Sequence, residues 1–195
     1  TYTLSDPTRG ITLQAPDNPA NHSAGGGNFQ VTAGNTLTIQ NLIAGAGSLR
    51  KIGDGNLVLD ATNATFSGVV QPKEGKLVVR NKDALGTGTV KAFADGILRI
   101  ETVDGVTLTP ADPFDLSGSG VLNVELAAFD APSSGRIEAN VFTLTNATAF
   151  DTSSVQIVAP ALGSRYKIEV STKTTAAGLV VYATATPRGM TILFR

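Results

Sequence analysis

Apolar residues alternate with other residues in four short runs along the middle of the chain, and the runs recur every 20 or 21 residues. Alternation with a period of two predicts β-strands in which one side chain points inward and the next points outward. The predicted inward positions form four pairs: Leu37/Ile39, Leu57/Leu59, Leu77/Val79 and Leu98/Ile100. The positions between them are expected to face outward, and they are Thr38, Val58, Val78 and Arg99.

A second strand is predicted in each period, centred on Leu49, Val70 and Val90, which are 21 and 20 residues apart. Glycines keep the same spacing and fall into two sets, in the turns that join the strands. The first set is Gly34, Gly55, Gly75 and Gly96, and the second is Gly47, Gly68 and Gly88. We interpret these glycines as corner residues that adopt positive φ.

This period restricts the possible architectures. A leucine-rich repeat has a similar length but needs an asparagine-containing consensus that the chain lacks, and a propeller blade needs about twice the period. A parallel β-helix has coils of about 20 residues, made of short strands and turns, with like residues stacked between coils. The pattern therefore predicts an all-β parallel β-helix, whose continuous core forms only when its coils stack.

The repeat is regular only between residues 34 and 100, so three segments are predicted. Residues 1–33 are expected to hold an irregular N-terminal strand at 10–13 and a loop rich in proline and glycine at 15–27. Residues 34–160 are expected to form β-helix coils, with strands at 106–108, 121–124, 136–137, 141–144 and 155–158 in the less regular part. Residues 161–195 are expected to form an antiparallel β meander or cap, with strands at 166–170, 179–183 and 191–194. We expect roughly six to eight coils in all, irregular ones included.

The 195-residue chain contains 21 glycines and no cysteine or tryptophan, and its formal net charge is −1. The absence of cysteine excludes disulfides, thiol catalysis and cysteine-ligated metals. Because there is no basic run, a nucleic-acid partner is not expected. There is no apolar run of 18 residues and no basic-then-apolar N-terminus, so we expect a soluble chain without a signal peptide. We interpret it as an excised or processed portion of a longer protein.

Few residues suggest chemistry. His22 is the only histidine, and it lies in a polar loop with no acid or serine arranged as a triad, so a solvated loop role is favoured. Asp54, Glu74 and Asp95 each precede a glycine of the first set and would form an acidic row. This row could bind a cation or form a contact surface. An acidic residue before a glycine is common in turns, however, and we favour that simpler role. The other acids considered as carboxylate catalysts are scattered: Asp60, Asp83, Asp104, Asp112 and Asp115.

Three further motifs have simple explanations. Gly-x-Gly pairs lack the continuation of a phosphate loop, so we interpret them as corners. Ordinary β-propensity explains the Thr-x-Thr pairs, which could resemble ice-binding rows but fall at unequal coil positions: Thr36/Thr38, Thr87/Thr89 and Thr107/Thr109. Turn roles are favoured over glycosylation for the three asparagines that head acceptor sequons: Asn21, Asn63 and Asn146. We therefore predict no catalytic, cofactor-binding or metal-binding residue, and no cofactor.

A longer motif runs from residue 45 to residue 90. Its residues are Gly45, Gly47, Leu49, Lys51, Gly53, Gly55, Leu57, Leu59, Asn63, Gly68, Gly75, Leu77, Ala84, Leu85, Gly86, Gly88 and Val90. They follow a Gly-x-Gly-x-Leu-x-Lys-x-Gly-x-Gly-x-Leu-x-Leu run, then Asn-x-x-x-x-Gly, Gly-x-Leu and Ala-Leu-Gly-x-Gly-x-Val. This motif resembles the passenger-associated repeat of autotransporters. It departs from that repeat at Val69-Val70, where the family often has Gly-Thr.

The resemblance implies a right-handed parallel β-helical passenger of a protein secreted by the type V route, located outside a Gram-negative cell or on its outer-membrane surface. The implied partner is an outer-membrane translocator barrel, whose strand pattern is not visible in this sequence. By analogy, residues 101–195 would help the passenger to fold outside the cell. We expect a non-enzymatic stalk or adhesin scaffold of the kind linked to virulence. Its host-cell, matrix or glycan ligand is not named by the sequence.

Two alternatives remain open at this point. One is a carbohydrate-active β-helix, a lyase or glycosidase, which needs a cleft with paired carboxylates on neighbouring coils. The other is a self-assembling extracellular fibre protein, in which the end of one chain stacks on the next chain. Self-association would distinguish the fibre from a monomeric stalk, and glycan cleavage would distinguish the enzyme from both.

Overall fold

The computed structural model describes residues 1–6, 8–15, 25–110, 112–130 and 135–188. Its first nine strands are β1 (Tyr2–Leu4), β2 (Ile11–Thr12), β3 (Gly26–Gln30), β4 (Thr36–Ile39), β5 (Ile43–Ala44), β6 (Ser48–Ile52), β7 (Asn56–Leu59), β8 (Val69–Pro72) and β9 (Gly75–Val79). The others are β10 (Thr89–Lys91), β11 (Gly96–Ile100), β12 (Val106–Leu108), β13 (Phe114–Asp115), β14 (Leu122–Leu126), β15 (Ile137–Leu144), β16 (Val155–Val158), β17 (Tyr166–Thr175) and β18 (Gly178–Pro187). Three short 3₁₀ segments accompany them at Ala127–Phe129, Thr152–Ser154 and Gly163–Arg165.

The strands wind into a parallel β-solenoid of about five turns, which confirms the predicted all-β parallel β-helix. One side, which we call the long face, holds seven strands in the order β1-β4-β7-β9-β11-β14-β16. The short face holds five strands in the order β3-β6-β8-β10-β13, and a third side begins with β2 and β5. The number of turns is below the six to eight expected, because β15, β17 and β18 build a separate antiparallel sheet.

The stacking register follows the period of the sequence. On the long face Leu37, Leu57, Leu77 and Leu98 lie opposite one another, and Leu98 lies opposite Val124. On the short face the predicted strand centres are also aligned: Leu49, Val70 and Val90. The last four residues of the long-face row are 0% exposed, and burial of one such side chain contributes about 1.5–3 kcal/mol. The stack therefore forms one continuous core along the solenoid.

Some outward positions of the long face are buried as well. Val58 and Val78, at outward positions, are only 2% and 3% exposed. Lys76 and Arg80 flank Val78 on the same side of β9, and both side chains extend to acidic partners on later coils. Long charged side chains cover apolar surface with their aliphatic stems.

Close packing between coils, rather than backbone conformation, explains most of the periodic glycines. Within the two sets only Gly34 and Gly75 have positive φ, at 76° and 62°, so the expected positive φ was wrong for the others. A Cβ atom at Gly68 would overlap the carbonyl oxygen of Gly47, and one at Gly88 would overlap that of Gly68. Glycine is needed there because successive backbones approach too closely to admit a side chain.

The N-terminal region is already wound into the solenoid. One strand and an irregular loop were expected over residues 1–33, whereas the structure has three strands, β1, β2 and β3, each the first of its face. Gly26 and Gly27 were expected in the loop, but they lie in β3 and pair with β6. The predicted loop residues 16–24, which include Asn21 and His22, lie outside the described residues.

The C-terminal sheet has the order β12-β15-β18-β17. β12 pairs with β15 in parallel, whereas β15 with β18 and β18 with β17 are antiparallel, which confirms the predicted antiparallel cap. β15 is one strand where two were expected, at 136–137 and 141–144, and it carries the cap into the segment predicted as coils. β17 and β18 have 10 residues each. The strand predicted at 191–194 lies outside the described residues.

Candidate functional site

A cleft lies where the long face of the solenoid meets the C-terminal sheet, and we call it the cap cleft. Its volume is about 400 Å³, within the range of about 300–1,000 Å³ that is usual for small-molecule sites. One wall is built by the residues that end and follow β11 and β14, and the other by residues of β15 and β17. The cleft thus joins parts of the chain that are far apart in sequence.

The solenoid wall of the cap cleft is largely apolar. Ile100 and Leu126 are register partners at the ends of β11 and β14, and each is 2% exposed. Ala127 and Ala128 follow in a 3₁₀ segment and line the same wall. Val103 also lines the cleft and is 88% exposed. A valine this exposed contributes little to the core, so its apolar surface is available to a ligand.

A β-bulge in β15 decides which side chains line the cap wall. Asn140 lies opposite Tyr182 and Phe142 lies opposite Val181, so Val141 is an extra residue in the strand. In a regular strand Asn140 and Phe142 would point to the same side, because side chains alternate. The bulge lets Phe142 enter the core at 0% exposure while Asn140 lines the cleft. Bulges commonly redirect side chains in this way next to functional sites.

Opposite charges meet on the cap wall. Lys173 Nζ lies 3.6 Å from Glu138 Oε1, and the same ammonium lies 5.0 Å from the centre of the Tyr182 ring. Glu138 Oε2 lies 3.3 Å from Arg136 Nη2. The side-chain amide of Asn140 makes no hydrogen bond within the described part of the chain. Asn140 therefore offers a free donor and a free acceptor beside a satisfied ion pair.

Glu101 supplies a second carboxylate to the cap cleft, and both of its oxygens are occupied. Arg80 Nε donates to Glu101 Oε2 at 2.8 Å, and Arg99 Nε donates to Glu101 Oε1 at 3.0 Å. Burial alone would raise the pKa of Glu101, but the hydrogen bonds from Arg80 and Arg99 outweigh it and lower that pKa. Glu101 is therefore ionised at neutral pH.

Arg99 extends this network across three coils. Its guanidinium also pairs with Glu125 and Asp130, and Lys76 Nζ lies 2.7 Å from Glu125 Oε2. The hydrogen bond from Arg99 lowers the pKa of Asp130 and is the main reason that the pKa of Arg99 is raised. Because β9, β11 and β14 all contribute, the network joins successive coils on the outer surface next to the cleft.

The acidic groups of this region suit binding better than proton donation. A glycosidase general acid needs a raised pKa and a second carboxyl at a defined separation. Glu101 instead has a lowered pKa between two guanidinium groups, and Glu138 is paired with Arg136 and Lys173. Over the described ranges, no group of three His, Cys, Asp or Glu side chains is placed to hold a metal ion. The cleft offers hydrogen-bonding groups and an apolar wall.

In the predicted acidic row, the carboxylate of Glu74 takes part in a turn beside a buried lysine, Lys51. Lys51 is 0% exposed, and its ammonium donates to the backbone oxygens of Ile52, Gly53 and Glu74. The carboxylate of Glu74 accepts a hydrogen bond from the Gly53 amide at 2.6 Å. Burial lowers the pKa of Lys51, and the negative charges of Glu74 and Asp54 partly oppose that shift. These contacts hold one coil against the next and use the Glu74 carboxylate within the turn, whereas Asp54 and Asp95 are exposed.

Asn63 joins three successive coils. Its Oδ1 accepts from the Ile43 amide at 2.8 Å, and its Nδ2 donates to the Ala84 oxygen at 2.7 Å. The side chain is 1% exposed, so it is not accessible to glycosylation in the folded chain. The expected turn role is confirmed, because the Phe66 amide donates to the Asn63 carbonyl oxygen at 2.9 Å, although Asn63 does not adopt a left-handed backbone.

The remaining motifs do not form a regular surface. Thr36 and Thr38 lie in β4 on the long face, Thr89 in β10 on the short face, and Thr107 in β12 on another side. An ice-binding array requires equivalent positions on successive coils, and these positions are not equivalent. Asn146, the third sequon asparagine, uses its side chain to bond a backbone oxygen at 2.6 Å.

A second cavity, of about 470 Å³, lies near β1 and the start of β2. Asn41 lines it and is 7% exposed, with Nδ2 donating to the backbone oxygens of Asp6 and Arg9. Its Oδ1 is buried and has no partner within the described ranges. One unpaired acceptor defines a ligand poorly, so the cap cleft is the stronger candidate.

None of the helical segments in the described part of the chain is long and apolar enough to cross a membrane. No known protein family matches the chain, and no curated protein or solved structure is significantly similar to it.

Proposed function

We propose that this chain is a non-enzymatic scaffold segment of a secreted or surface-displayed bacterial protein of the autotransporter passenger class. The observation that carries the proposal is the unbroken stack of buried residues along the long face, of which Leu57, Leu77 and Leu98 are 0% exposed. Such a stack makes a stiff body from short repeats, because each coil is stabilised by its neighbours. The passenger-like motif at residues 45–90 supports the secretion class.

The proposed action is mechanical and interfacial. Adjacent strands of a sheet are held about 4.8 Å apart, so the outward side chains of successive coils form a fixed array. Arg50 and Gln71 illustrate this, since they lie in register on two coils of the short face. A rigid surface of this kind can bind a ligand or carry another domain without a conformational change.

The cap is proposed to assist folding outside the cell. Phe142, Leu144 and Val181 of the C-terminal sheet are 0% exposed and belong to the same core cluster as the solenoid. A terminal sheet that buries such residues provides a folded template for the adjacent coils. Residues 101–195 would thereby act as the starting point of passenger folding.

Surface display tests the proposal. The chain is expressed between a signal peptide and the translocator of an autotransporter, with an N-terminal epitope tag, in a Gram-negative host. We expect the tag on intact cells and a protease-resistant fragment of the length of the solenoid. Leu77→Asp places a charge in the core and should abolish the resistant fragment, whereas Leu42→Asp, at a site 47% exposed, should not. A chain that is retained inside the cell, or is displayed without a resistant fragment, would contradict the proposal.

A carbohydrate-active enzyme is the second candidate, because Glu101 and Glu138 line one cleft. Incubation with neutral and acidic polysaccharides, followed by measurement of reducing ends and unsaturated products, tests it. Loss of product formation in Glu101→Gln and Glu138→Gln would support an enzyme. An absence of products from the native chain would exclude cleavage of those substrates.

A fibre protein is the third candidate, because β1 is the edge strand of the long face and is exposed. Tyr2 and Leu4 in this strand are 72% and 45% exposed, and exposed edges recruit further strands. Light scattering over a concentration series separates a self-assembling fibre from a monomeric stalk. A mass that stays at one chain throughout would rule out the fibre.

A further inference from the structure

We propose that the cap cleft binds a neutral oligosaccharide without cleaving it. The inference rests on the proposed function, because it assigns a ligand class to the same scaffold. It is carried by the side chains that line the cleft, namely two paired carboxylates, an unpaired amide and an exposed apolar strip. Each of these features favours an uncharged ligand that has both hydroxyl groups and apolar C–H faces.

The charges of the cap cleft are already balanced within the protein. Glu101 is paired with Arg80 and Arg99, and Glu138 is paired with Lys173. A charged ligand would bring a further charge to this paired set, and the cost of removing that charge from water would offset the gain. An ionised carboxylate can accept about four hydrogen bonds. Hydroxyl groups can therefore add to these carboxylates while the ion pairs remain in place.

Asn140 provides the groups that match neighbouring hydroxyls. Its side-chain amide has a donor and an acceptor side by side, and neither is used within the described residues. Lys173 has three ammonium donors, and its ion pair with Glu138 occupies only part of them. Asn140 lies in strand β15, next to the bulge, and not in a loop. Its side-chain amide is therefore positioned before any ligand arrives.

An apolar strip completes the match to a sugar ring. Val103, 88% exposed, and the neighbouring Ala127 and Ala128 line the opposite wall. A sugar ring presents C–H groups on its faces and hydroxyls at its rim. A ring bound in the cleft can pack against this wall while its hydroxyls reach Asn140 and Glu138. The volume of about 400 Å³ admits a short oligosaccharide segment.

Isothermal titration calorimetry of the native chain tests the inference. The probes are short oligomers of glucose, galactose, mannose and N-acetylglucosamine, with an oligogalacturonate as the charged comparison. We expect at least one neutral probe to bind, and the oligogalacturonate to bind about tenfold more weakly or not at all. Chromatography of the recovered probe should show that it is intact.

Two variants address the cleft directly. Asn140→Ala removes the free amide and should weaken binding about fivefold, the effect of losing one neutral hydrogen bond. Val103→Asp places a charge on the apolar strip and should weaken binding at least as much. Asn28→Ala is the matched control, because Asn28 is exposed on β3, away from the cleft, and its side chain has no described partner. Unchanged thermal unfolding would exclude misfolding, and Val103 is exposed enough to be replaced without loss of the fold.

Three results would overturn the inference. They are no binding of any neutral probe, binding of the oligogalacturonate alone, and equal affinity in the native chain, Asn140→Ala and Val103→Asp. Surface display does not depend on the cleft, so Asn140→Ala should still be displayed. Failed sugar binding with normal display contradicts this inference alone, whereas normal sugar binding with failed display contradicts only the proposed function.

Discussion

Lys51 is a charged residue enclosed by the solenoid. Its ammonium reaches three backbone oxygens that belong to two successive coils, those of Ile52, Gly53 and Glu74. A buried ammonium is costly unless its donors are all used, and here three donors meet three acceptors. The lysine therefore links the two coils at this corner, and the Val31 amide also donates to the Ile52 oxygen.

Replacement of Lys51 tests this role. Lys51→Met keeps most of the aliphatic volume but removes the ammonium donor to the Gly53 and Glu74 oxygens, so we expect the free energy of unfolding to fall by about 2–4 kcal/mol. Urea denaturation followed by circular dichroism measures the change. Lys82→Met is the control, at a side chain 56% exposed, and should change stability by less than about 0.5 kcal/mol. Equal stability of Lys51→Met and the native chain would disprove this link.

Asp115 should make the stability depend on acid pH. A hydrogen bond from Lys91 at 2.7 Å, with further bonds from Ser117, lowers the pKa of Asp115 to about 2. Because the folded-state pKa lies below the unfolded value of about 3.9, this stabilisation is complete above about pH 4 and is lost as the pH falls towards about 2. The effect is small, since the side chain is 40% exposed to solvent.

Urea denaturation across this pH window provides the measurement. Asp115→Asn should lose less stability between about pH 4 and pH 2 than the native chain. Asp95→Asn is the control, because Asp95 is exposed and has no partner within the described residues, so its pH profile should parallel that of the native chain. Identical profiles for Asp115→Asn and the native chain would show that the ion pair with Lys91 adds no stability.

At the scale of the coil, the spacing of backbones is set by a row of glycines. Gly47, Gly68 and Gly88 lie on successive coils, and a Cβ at either of the last two would overlap the glycine carbonyl below it. The row lets the turns approach more closely than side chains would permit. Its function is therefore steric, and it differs from the role of a glycine at positive φ.

Gly68→Ala tests the steric role. The added methyl group must push two turns apart, so the free energy of unfolding should fall by about 1–3 kcal/mol or more. Gly10→Ala is the matched control, because the nearest atom to its Cβ would be the Leu42 oxygen at 3.4 Å. Thermal and urea unfolding of both variants decide the question. A Gly68→Ala chain as stable as Gly10→Ala would mean that the turns have room to separate.

The strands of the regular coils could be predicted because two periods agree, the alternation within each strand and the 20- or 21-residue repeat between strands. Leu57, Leu77 and Leu98 were placed correctly for that reason. β3 was missed because a run of glycines has little intrinsic strand preference, and Gly26 and Gly27 become a strand only by pairing with β6. The burial of Val78 was missed because it depends on the paths of the long side chains beside it.

At the scale of the whole molecule, the cap and the solenoid share one core. The core cluster runs from Leu13 through the coils to Ala185 in β18. A shared core should couple the two parts in unfolding, although repeat proteins can also unfold in sections. The position of the cap sheet, which continues from β12 into β15, makes coupling the expected behaviour.

Unfolding followed by two probes tests this coupling. Far-ultraviolet circular dichroism reports mainly on the solenoid, whereas two of the three tyrosines, Tyr166 and Tyr182, lie in the cap sheet and report on it by fluorescence. We expect the two transitions to coincide. Val181→Ala, at a residue 0% exposed in the cap, should shift both midpoints together. Separate transitions, or a shift of the tyrosine signal alone, would show two independent units.

The parallel winding, the coil length and the stacked leucine rows follow from local sequence, because a repeated pattern places equivalent residues at equivalent positions on every coil. The local sequence does not predict the candidate site. The cap cleft brings together Glu101, Glu138 and Lys173, which no motif links, and a bulge separates Asn140 in the cleft from Phe142 in the core. Those positions depend on how the C-terminal sheet packs against the last coils, and contacts between distant residues leave no period in a sequence.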